Sequence, residues 1–367
     1  MRIVAFTRYP YEGPSSRYRF YNYRNCFQAA GIAMEIMPFF SPSYFSCRGK
    51  SIRAAGVIGS YLRRLLQVLS LLMAPSRYDL VLIEYELFPY IPAFFEYLLY
   101  KRGIKYLADY DDAVFHKYDM HPNSLARSIL GNKIGKVMRY ARQVIVCNAY
   151  LESYASRYNG RTFRLPTVVL LDRYRAAILR HEDAPNNREK HFVIGWIGSK
   201  STSTYILDIL PAIEKFSNRY PVQFNFVGFD SSLLGEEVIE RCRIHPIEWS
   251  EEREIETILA FDVGIMPLKD DAWSRGKCGF KLVQYMSCKK PVIASPVGIN
   301  RELVREGENG FLARTAEEWY AAFETLYLDG QLRAAMAANN FEKIVVSYNH
   351  EKNCQRYTAL LKRVAKS

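Results

Sequence analysis

Residues 275–295 read RGKCGFKLVQYMSCKKPVIAS. A cationic loop with glycines at 276 and 279 leads into a helix-like run from Phe280, and that run leads into a short apolar strand at Pro291–Ser295. Glycines leave backbone amides uncovered. The first amides of a helix lack internal partners and carry partial positive charge. A phosphate placed there gains hydrogen bonds and field together, and Arg275, Lys277 and Lys281 would add full charges. The bland alternative is a basic surface loop.

Working outward, the same grammar recurs along the chain. Short apolar runs at Ile3–Phe6, Met34–Pro38, Leu80–Glu84, Lys105–Asp109 and Val144–Cys147 read as strands. A second series follows at Val193–Ile197, Gln223–Val227, Ile244–Trp249, Val263–Pro267 and Pro291–Ser295. Helical patterns separate them, such as RYRFYNYRNCFQAAG ending at Gly31, PAFFEYLLYKRG ending at Gly103, and TYILDILPAIEKFSNRY. Strands alternating with helices predict parallel sheets covered on both faces. The alternation occurs twice, and the charged stretch RHEDAPNNREKH at 180–191 reads as the linker. The expected architecture is α/β, with two Rossmann-like doubly wound domains facing a central cleft. The first covers 1–180, the second 190–349, and a last helix at about 350–367 returns to the first.

Composition bounds the partners. The 367 residues are 49% hydrophobic and 24% charged, enough for two cores. The net charge of +12 favours anionic partners: nucleotides, phospholipid head groups or nucleic acid. The basic residues are spread along the chain without a recognised nucleic-acid module, so nucleic acid is not expected. Seven cysteines without a CxxC pair read as reduced, buried thiols of a cytosolic protein, and no zinc pattern is present. The start MRIVAFTRYP is too short in apolar residues for a signal peptide. No run reaches the roughly eighteen apolar residues a membrane span needs. The nearest is Val57–Met73, with Arg63 and Arg64 in its middle. It reads either as a helix packed on a sheet or as one that dips into an anionic membrane surface with the arginines at head-group level.

In doubly wound sheets ligands bind beyond the carboxyl ends of the strands. GSKSTST follows the first strand of the second domain, and Gly198, Ser199 and Lys200 there are candidates for a second phosphate-binding turn; a serine-rich helix cap would look the same. YPYEGPSSRYRF follows the first strand of the chain. Gly13, Ser15 and Arg17 could approach donor or acceptor, or form an ordinary strand–helix loop. Asn148 ends another strand. DYDDAVFHK carries Asp109, Asp111 and Asp112. The aspartates read as a metal-holding DxD, as acceptor-positioning or general-base groups, or as a helix cap. His116 reads as an acid–base group or as structural.

RGKCGFKLVQYMSCKKPVIASPVGINRELVREGENGFLA, with GWIGSKSTSTYILDILPAI and FDVGIMPL in the expected order, resembles the donor-binding segment of the family-4 glycosyltransferases of GT-B fold. YEGPSSRYRFYNY and DYDDAVF are similar to a bacterial subgroup acting on cell-surface polysaccharides. The resemblance implies retaining transfer of a sugar from a nucleotide-diphosphate donor to a hydroxyl of a glycan or lipid-linked acceptor, without a metal or other cofactor. It implies donor binding by Gly198, Ser199, Lys200, Arg275, Lys277, Gly279, Phe280 and Gln284, with Lys281, Asp111 and Asp112 as catalytic candidates. The family carries an E-x7-E pair here, but this chain has Gly276 and Gln284 at those places. Gln284 can hold the ribose hydroxyls through its amide, whereas Gly276 cannot contact the sugar, a task that would fall to neighbouring amides or to Asp271. The degraded pair also admits a catalytically weak nucleotide-binding scaffold on the same fold. The expected location is cytoplasmic, with peripheral contact at the inner face of the cytoplasmic membrane and its anionic lipids.

Overall fold

A computed structural model describes residues 1–42, 50–183 and 191–367. Of the linker read at 180–191, residues 184–190 lie outside the described residues. The chain folds into two compact units. The first comprises Met1–Thr167, Gly276–Cys278 and Glu351–Ser367, and the second Val168–Arg275 and Gly279–His350.

The sheet of the first unit has the order β2-β1-β3-β4-β5-β6, all parallel. Its strands are β1 (Arg2–Thr7), β2 (Ala33–Pro38), β3 (Leu80–Glu84), β4 (Tyr106–Tyr110), β5 (Gln143–Val146) and β6 (Thr162–Arg164). β3, β4 and β5 are buried along their whole length, as expected for strands covered on both faces. The sheet of the second unit has the order β12-β11-β10-β7-β8-β9. Its strands are β7 (Phe192–Ile197), β8 (Val222–Val227), β9 (Ile244–Ile247), β10 (Val263–Met266), β11 (Val292–Ala294) and β12 (Gly310–Leu312). Strand order reverses between β1 and β3 in one sheet and between β7 and β10 in the other, which places a crevice beyond the carboxyl ends of those strands.

Ten of these twelve strands coincide with the runs read from the sequence. The edge strands β6 and β12 do not: TFR and GFL show neither alternation nor the apolar run that marks the equally short β11. Two helices read as continuous are broken. RYRFYNYRNCFQAAG begins inside the helix Pro14–Arg19 and passes through a 3₁₀ turn at Tyr21–Tyr23 into the helix Arg24–Ala29. TYILDILPAIEKFSNRY splits into Thr204–Leu207 and Leu210–Arg219, because Pro211 lacks an N–H and fits only the first turn of a helix.

The sequence reading ended the first domain at 180, whereas the first unit's main segment ends at Thr167. The helix Leu171–Glu182 accounts for the difference. Its Leu171, Tyr174, Ala177 and Ile178 are buried in the second unit's core with Ile255, Ile258 and Leu259. The last helix, His350–Lys366, contributes Glu351–Ser367 to the first unit. There Tyr357 meets the edges of Tyr23 and Phe27, and Cys354 is bonded to Cys26. The reading of all cysteines as reduced thiols is corrected by this disulfide; Cys147, Cys242, Cys278 and Cys288 are free thiols.

Of the two arginines read at head-group level, Arg64 is corrected; Arg63 is exposed. On the helix Lys50–Met73, Arg64 points inward, 1% exposed, and donates to the carbonyls of Thr7 and Met37. Arg63 donates to the carbonyl of Phe39. Backbone acceptors at the end of β1 and in β2 recruit the Arg64 guanidinium, which one reading of the sequence pattern placed at a membrane.

Arg19 and Asp109 form a buried two-pronged pair, with Nε and a terminal nitrogen each 2.8 Å from a carboxylate oxygen, and Arg19 also donates to Leu165 O. Removing one partner leaves an uncompensated buried charge. D109A is expected to cost about 3–5 kcal/mol, read as a fall in the urea denaturation midpoint.

Candidate active site

In the second unit the candidate site forms where β7 and β10 end. The Tyr285 hydroxyl accepts from Ile197 N at 2.9 Å and donates to Ile265 O at 3.2 Å. This holds the helix Phe280–Ser287 against both strand ends. The helix begins at Gly279, whose φ of 68° is left-handed and which brings no side-chain cap. A Cβ on Gly279 would also fall 2.6 Å from Leu303 and 2.7 Å from Ile299. Glycine is therefore required on both counts.

In the first turn of this helix, the Lys281 ammonium lies 4.4 Å from the centre of the Trp196 ring. A Cβ on Gly198 would fall 2.9 Å from Lys281 Nζ and 2.2 Å from the same indole. The turn after β7 is thus kept open beside a cation. Ser199 caps the 3₁₀ turn Lys200–Thr202 through a reciprocal bond with Thr202, and Lys200 is exposed at its start. Gly198, Ser199, Lys200, Gly279, Phe280, Lys281 and Gln284 all belong to this unit. Arg275 belongs to it too, but its Nε is 2.7 Å from Asp270 Oδ1. Asp271 accepts from Ser274 N and so serves the turn that follows it.

Gln284 is buried and donates to Glu254 Oε1 at 2.6 Å, while Trp249 Nε1 donates to Glu254 Oε2 at 2.8 Å. A carboxylate thus stands beside the position where the resembled family carries one, supplied from a different helix. Sequence reasoning missed Glu254. Its only signal was one acidic residue among several in SEEREIE.

The remaining candidates belong to the first unit. Gly276 is packed so closely on Ala113 that a Cβ would fall 2.3 Å from the alanine methyl. The glutamate expected from the family has no room there. Asn148 donates to the carbonyls of Gly276 (3.1 Å) and Lys277 (2.9 Å), and its own oxygen caps the helix Ala149–Ser156. Tyr85 donates to Asp111 Oδ1 from a residue held at φ 62°. Burial and the neighbouring Asp111 carboxylate push Asp112 up to about 7, against the pull of Lys277 and Lys117. Asp109 is committed to Arg19 instead. His116 has both ring nitrogens engaged, with Asp119 and with the Tyr150 hydroxyl.

Gly13 and its neighbours follow β1. A Cβ on Gly13 would fall 2.3 Å from Tyr9 Cβ, so its lack of a side chain is a packing requirement. Ser15 is half-buried in the first turn of Pro14–Arg19, and Arg17 is 2% exposed, its guanidinium over the Tyr11 and Tyr18 rings. The neighbouring Ser16 donates to Glu84, a residue the sequence reading took only as the end of a strand. Glu84 also accepts from Arg8 N, and burial pushes its carboxyl up to about 8. An acid closing an otherwise apolar strand, LVLIE, was the available signal.

The class defined by this architecture is the GT-B fold: two parallel six-stranded sheets covered by helices, as in solved glycosyltransferase structures. Residues 191–329 match the family described as "Glycosyl transferases group 1", and together with the fold this supports a GT-B glycosyltransferase. HepE of Anabaena, solved with UDP and also with UDP-glucose, is 17% identical. In the UDP complex the alignment covers 99% of this chain and 100% of that one, with a TM-score of 0.69. A glycosyltransferase from Rickettsia africae is 14% identical, with coverage of 100% and 99% and a TM-score of 0.71. WaaG, a glycosyltransferase involved in lipopolysaccharide biosynthesis, is 13% identical, with coverage of 98% and 99% and a TM-score of 0.64. No curated protein matches the chain.

Because the folded state holds protons on Glu84 and Asp112 that the unfolded chain has released, their contribution to stability falls as pH rises through about 7 to 8. E84Q removes the larger of these penalties. Its urea midpoint relative to wild type is expected to rise between pH 6 and pH 9.

Proposed function

We propose that the protein is a retaining, metal-independent glycosyltransferase that moves a sugar from a nucleotide-diphosphate donor to a hydroxyl of a glycan or lipid-linked acceptor in bacterial surface polysaccharide synthesis. The observation that carries this reading is the Lys281 ammonium beside Gly198, on the first turn of a helix capped by left-handed Gly279. The match of 191–329 to group 1 glycosyl transferases and the UDP complexes of HepE support it.

Breaking the bond between the anomeric carbon and the diphosphate oxygen builds positive charge on the sugar and negative charge on the departing phosphate. The helix amides and Lys281 face that growing negative charge. They favour the transition state over the ground state, and they require no solvent reorganisation to do so. The acceptor oxygen forms the new bond on the face the phosphate leaves, and the acceptor's proton passes to the departing phosphate oxygen. Configuration is then retained without a carboxylate nucleophile. Gln284 and Glu254 take the ribose hydroxyls, the carboxylate as acceptor and the amide as orienting partner. In the first unit Asp111 and Asp112 orient the acceptor hydroxyl.

A second reading, a weakly catalytic nucleotide-binding scaffold, is favoured by one observation: Gly276 leaves no side chain where the resembled family contacts the donor sugar. Product formation from a labelled donor over a panel of lipid-linked and glycan acceptors separates the two, since the scaffold binds nucleotide without turnover.

Thermal melting against UDP, GDP, dTDP, ADP and CMP is expected to show selective stabilisation by one nucleoside diphosphate, about 2.7 kcal/mol at a hundred times its Kd. Equal response to all five, or to none, would overturn donor binding. K281A should lose about 2–4 kcal/mol of transition-state stabilisation, roughly 30- to 900-fold in kcat, with turnover unaffected by EDTA in the wild type. Turnover should rise with pH through about 7 as Asp112 ionises, and D112N should lose that limb.

A further inference from the structure

The helix Lys50–Met73 carries apolar side chains on both faces: Val68 and Leu71 are buried, as a core-facing side requires. Ser60 and Arg64 are buried, while Ile58, Leu62, Leu66, Leu69 and Met73 are exposed. Spaced by four, four, three and four residues, these five side chains make one continuous stripe along the helix. Leu62 is 59% exposed, Leu66 68% and Met73 80%. A surface helix of a soluble domain normally turns such a stripe toward the core. Here the inward side holds Val68 and Leu71, with one inward position taken by Arg64, tied to Thr7 O and Met37 O and stacked on the Phe6 and Phe39 rings, and the exposed stripe is a second apolar surface.

The stripe does not end at its own helix. Tyr61 donates to Pro89 O and stacks on Phe88, which packs on Phe95 of the helix Phe94–Lys101. That second helix exposes Phe94, Tyr97 and Tyr100. Tyrosine rings, apolar in the body and polar at the tip, are enriched where a bilayer meets water. Lys101 lies over the Tyr97 ring, and the helix Lys133–Tyr140, whose Tyr140 touches Tyr97 and Tyr100, exposes Lys136 and Arg139.

Charge selects among the surfaces that could cover this face. Residues 1–167 and 351–367, which make up nearly all of the first unit, contain 28 Lys and Arg against 12 Asp and Glu. Five of those acids, Glu84, Glu86, Glu96, Asp109 and Asp111, are buried. Residues 168–275 and 279–350 contain 21 basic against 26 acidic. The basic excess is therefore confined to the unit that carries the apolar stripe. A second copy meeting this face would bring two cationic surfaces together, whereas anionic head groups neutralise one. No described helix is long and apolar enough to cross a membrane, so the face would lie on the bilayer rather than span it.

We propose that this face docks the protein on an anionic bilayer, with the Ile58–Met73 stripe in the acyl boundary, the Phe94–Tyr100 aromatics at head-group level and the surrounding cations on the lipid phosphates. The inference deepens the proposed function, because it gives the lipid-linked acceptor a surface on which to be met, but it rests on residues outside the candidate site.

The test is flotation with vesicles of phosphatidylcholine containing 30% phosphatidylglycerol, beside vesicles of phosphatidylcholine alone, using the whole chain. Wild type is expected to float with the anionic vesicles at low salt and at least tenfold less with neutral ones. L62Q/L66Q/L69Q should bind anionic vesicles at least tenfold more weakly while keeping a cooperative melt and the wild-type response to nucleotide. Exposed leucines can be replaced without emptying a core, so a folded variant is expected. Failure of wild type to float, or unchanged flotation of the folded variant, overturns the proposal. A concentration-dependent dimer that the variant abolishes, seen by analytical ultracentrifugation, also overturns it and assigns the face to a second copy. Nucleotide stabilisation is read separately, so loss of docking leaves the donor reading standing, and loss of nucleotide response leaves docking standing.

Discussion

The Tyr285 hydroxyl is the constraint on which the candidate donor site depends. By joining Ile197 N to Ile265 O it holds one helix against the ends of two adjacent strands at the reversal of strand order. The phenol is fully buried, and burial keeps it protonated far above the usual tyrosine range, so it remains both donor and acceptor. Once this anchor is in place, Gly279 must sit against Leu303 and Ile299, and Lys281 must come to rest on Trp196 beside Gly198. A cation and the start of a helix then lie together beside the glycine-opened turn at Gly198, an arrangement suited to an anion.

The first unit uses burial differently. At the ends of β1, β3 and β4 it gathers carboxylates that are desolvated more than they are paired, so that Glu84 and Asp112 titrate near neutrality, while Asp109 is neutralised by Arg19. Close by, Glu86 is held by Arg8, Lys133 and the Tyr118 hydroxyl in a buried network. Such groups cost stability when unpaired, and clusters of them are characteristic of sites with a chemical task. Within four residues the strand end thus carries one carboxylate fixed by a cation, Asp109, and one pushed up by burial, Asp112.

The two units also differ at their surfaces. The basic excess and the outward leucines coincide on the first, while the second is mildly acidic and presents its glycine-opened turns. The disulfide between Cys26 and Cys354 adds a covalent tie between the last helix and the first unit, 328 residues apart in the chain. A tie over so long a loop restricts the unfolded chain strongly.

Much of the architecture was legible from residues alone. Runs such as LVLIE and FVIGWI must be strands buried on both faces, glycines at 31 and 103 must stop helices, and ligand-facing residues must follow strand ends. The positions of Gly198, Gly279 and Lys281 followed from that grammar, because strand, turn and helix start are local. What the tertiary structure decided was every relation between distant residues. Glu254 lies thirty positions before Gln284 and meets it only in the fold. Gly276 is glycine because Ala113 occupies its side-chain space. Arg64 turns inward because carbonyls of Thr7 and Met37 lie there, while Leu62, Leu66 and Leu69 of the same helix are left exposed. Periodicity states that a helix has two faces, but only the packing of the remaining chain decides which of them is covered.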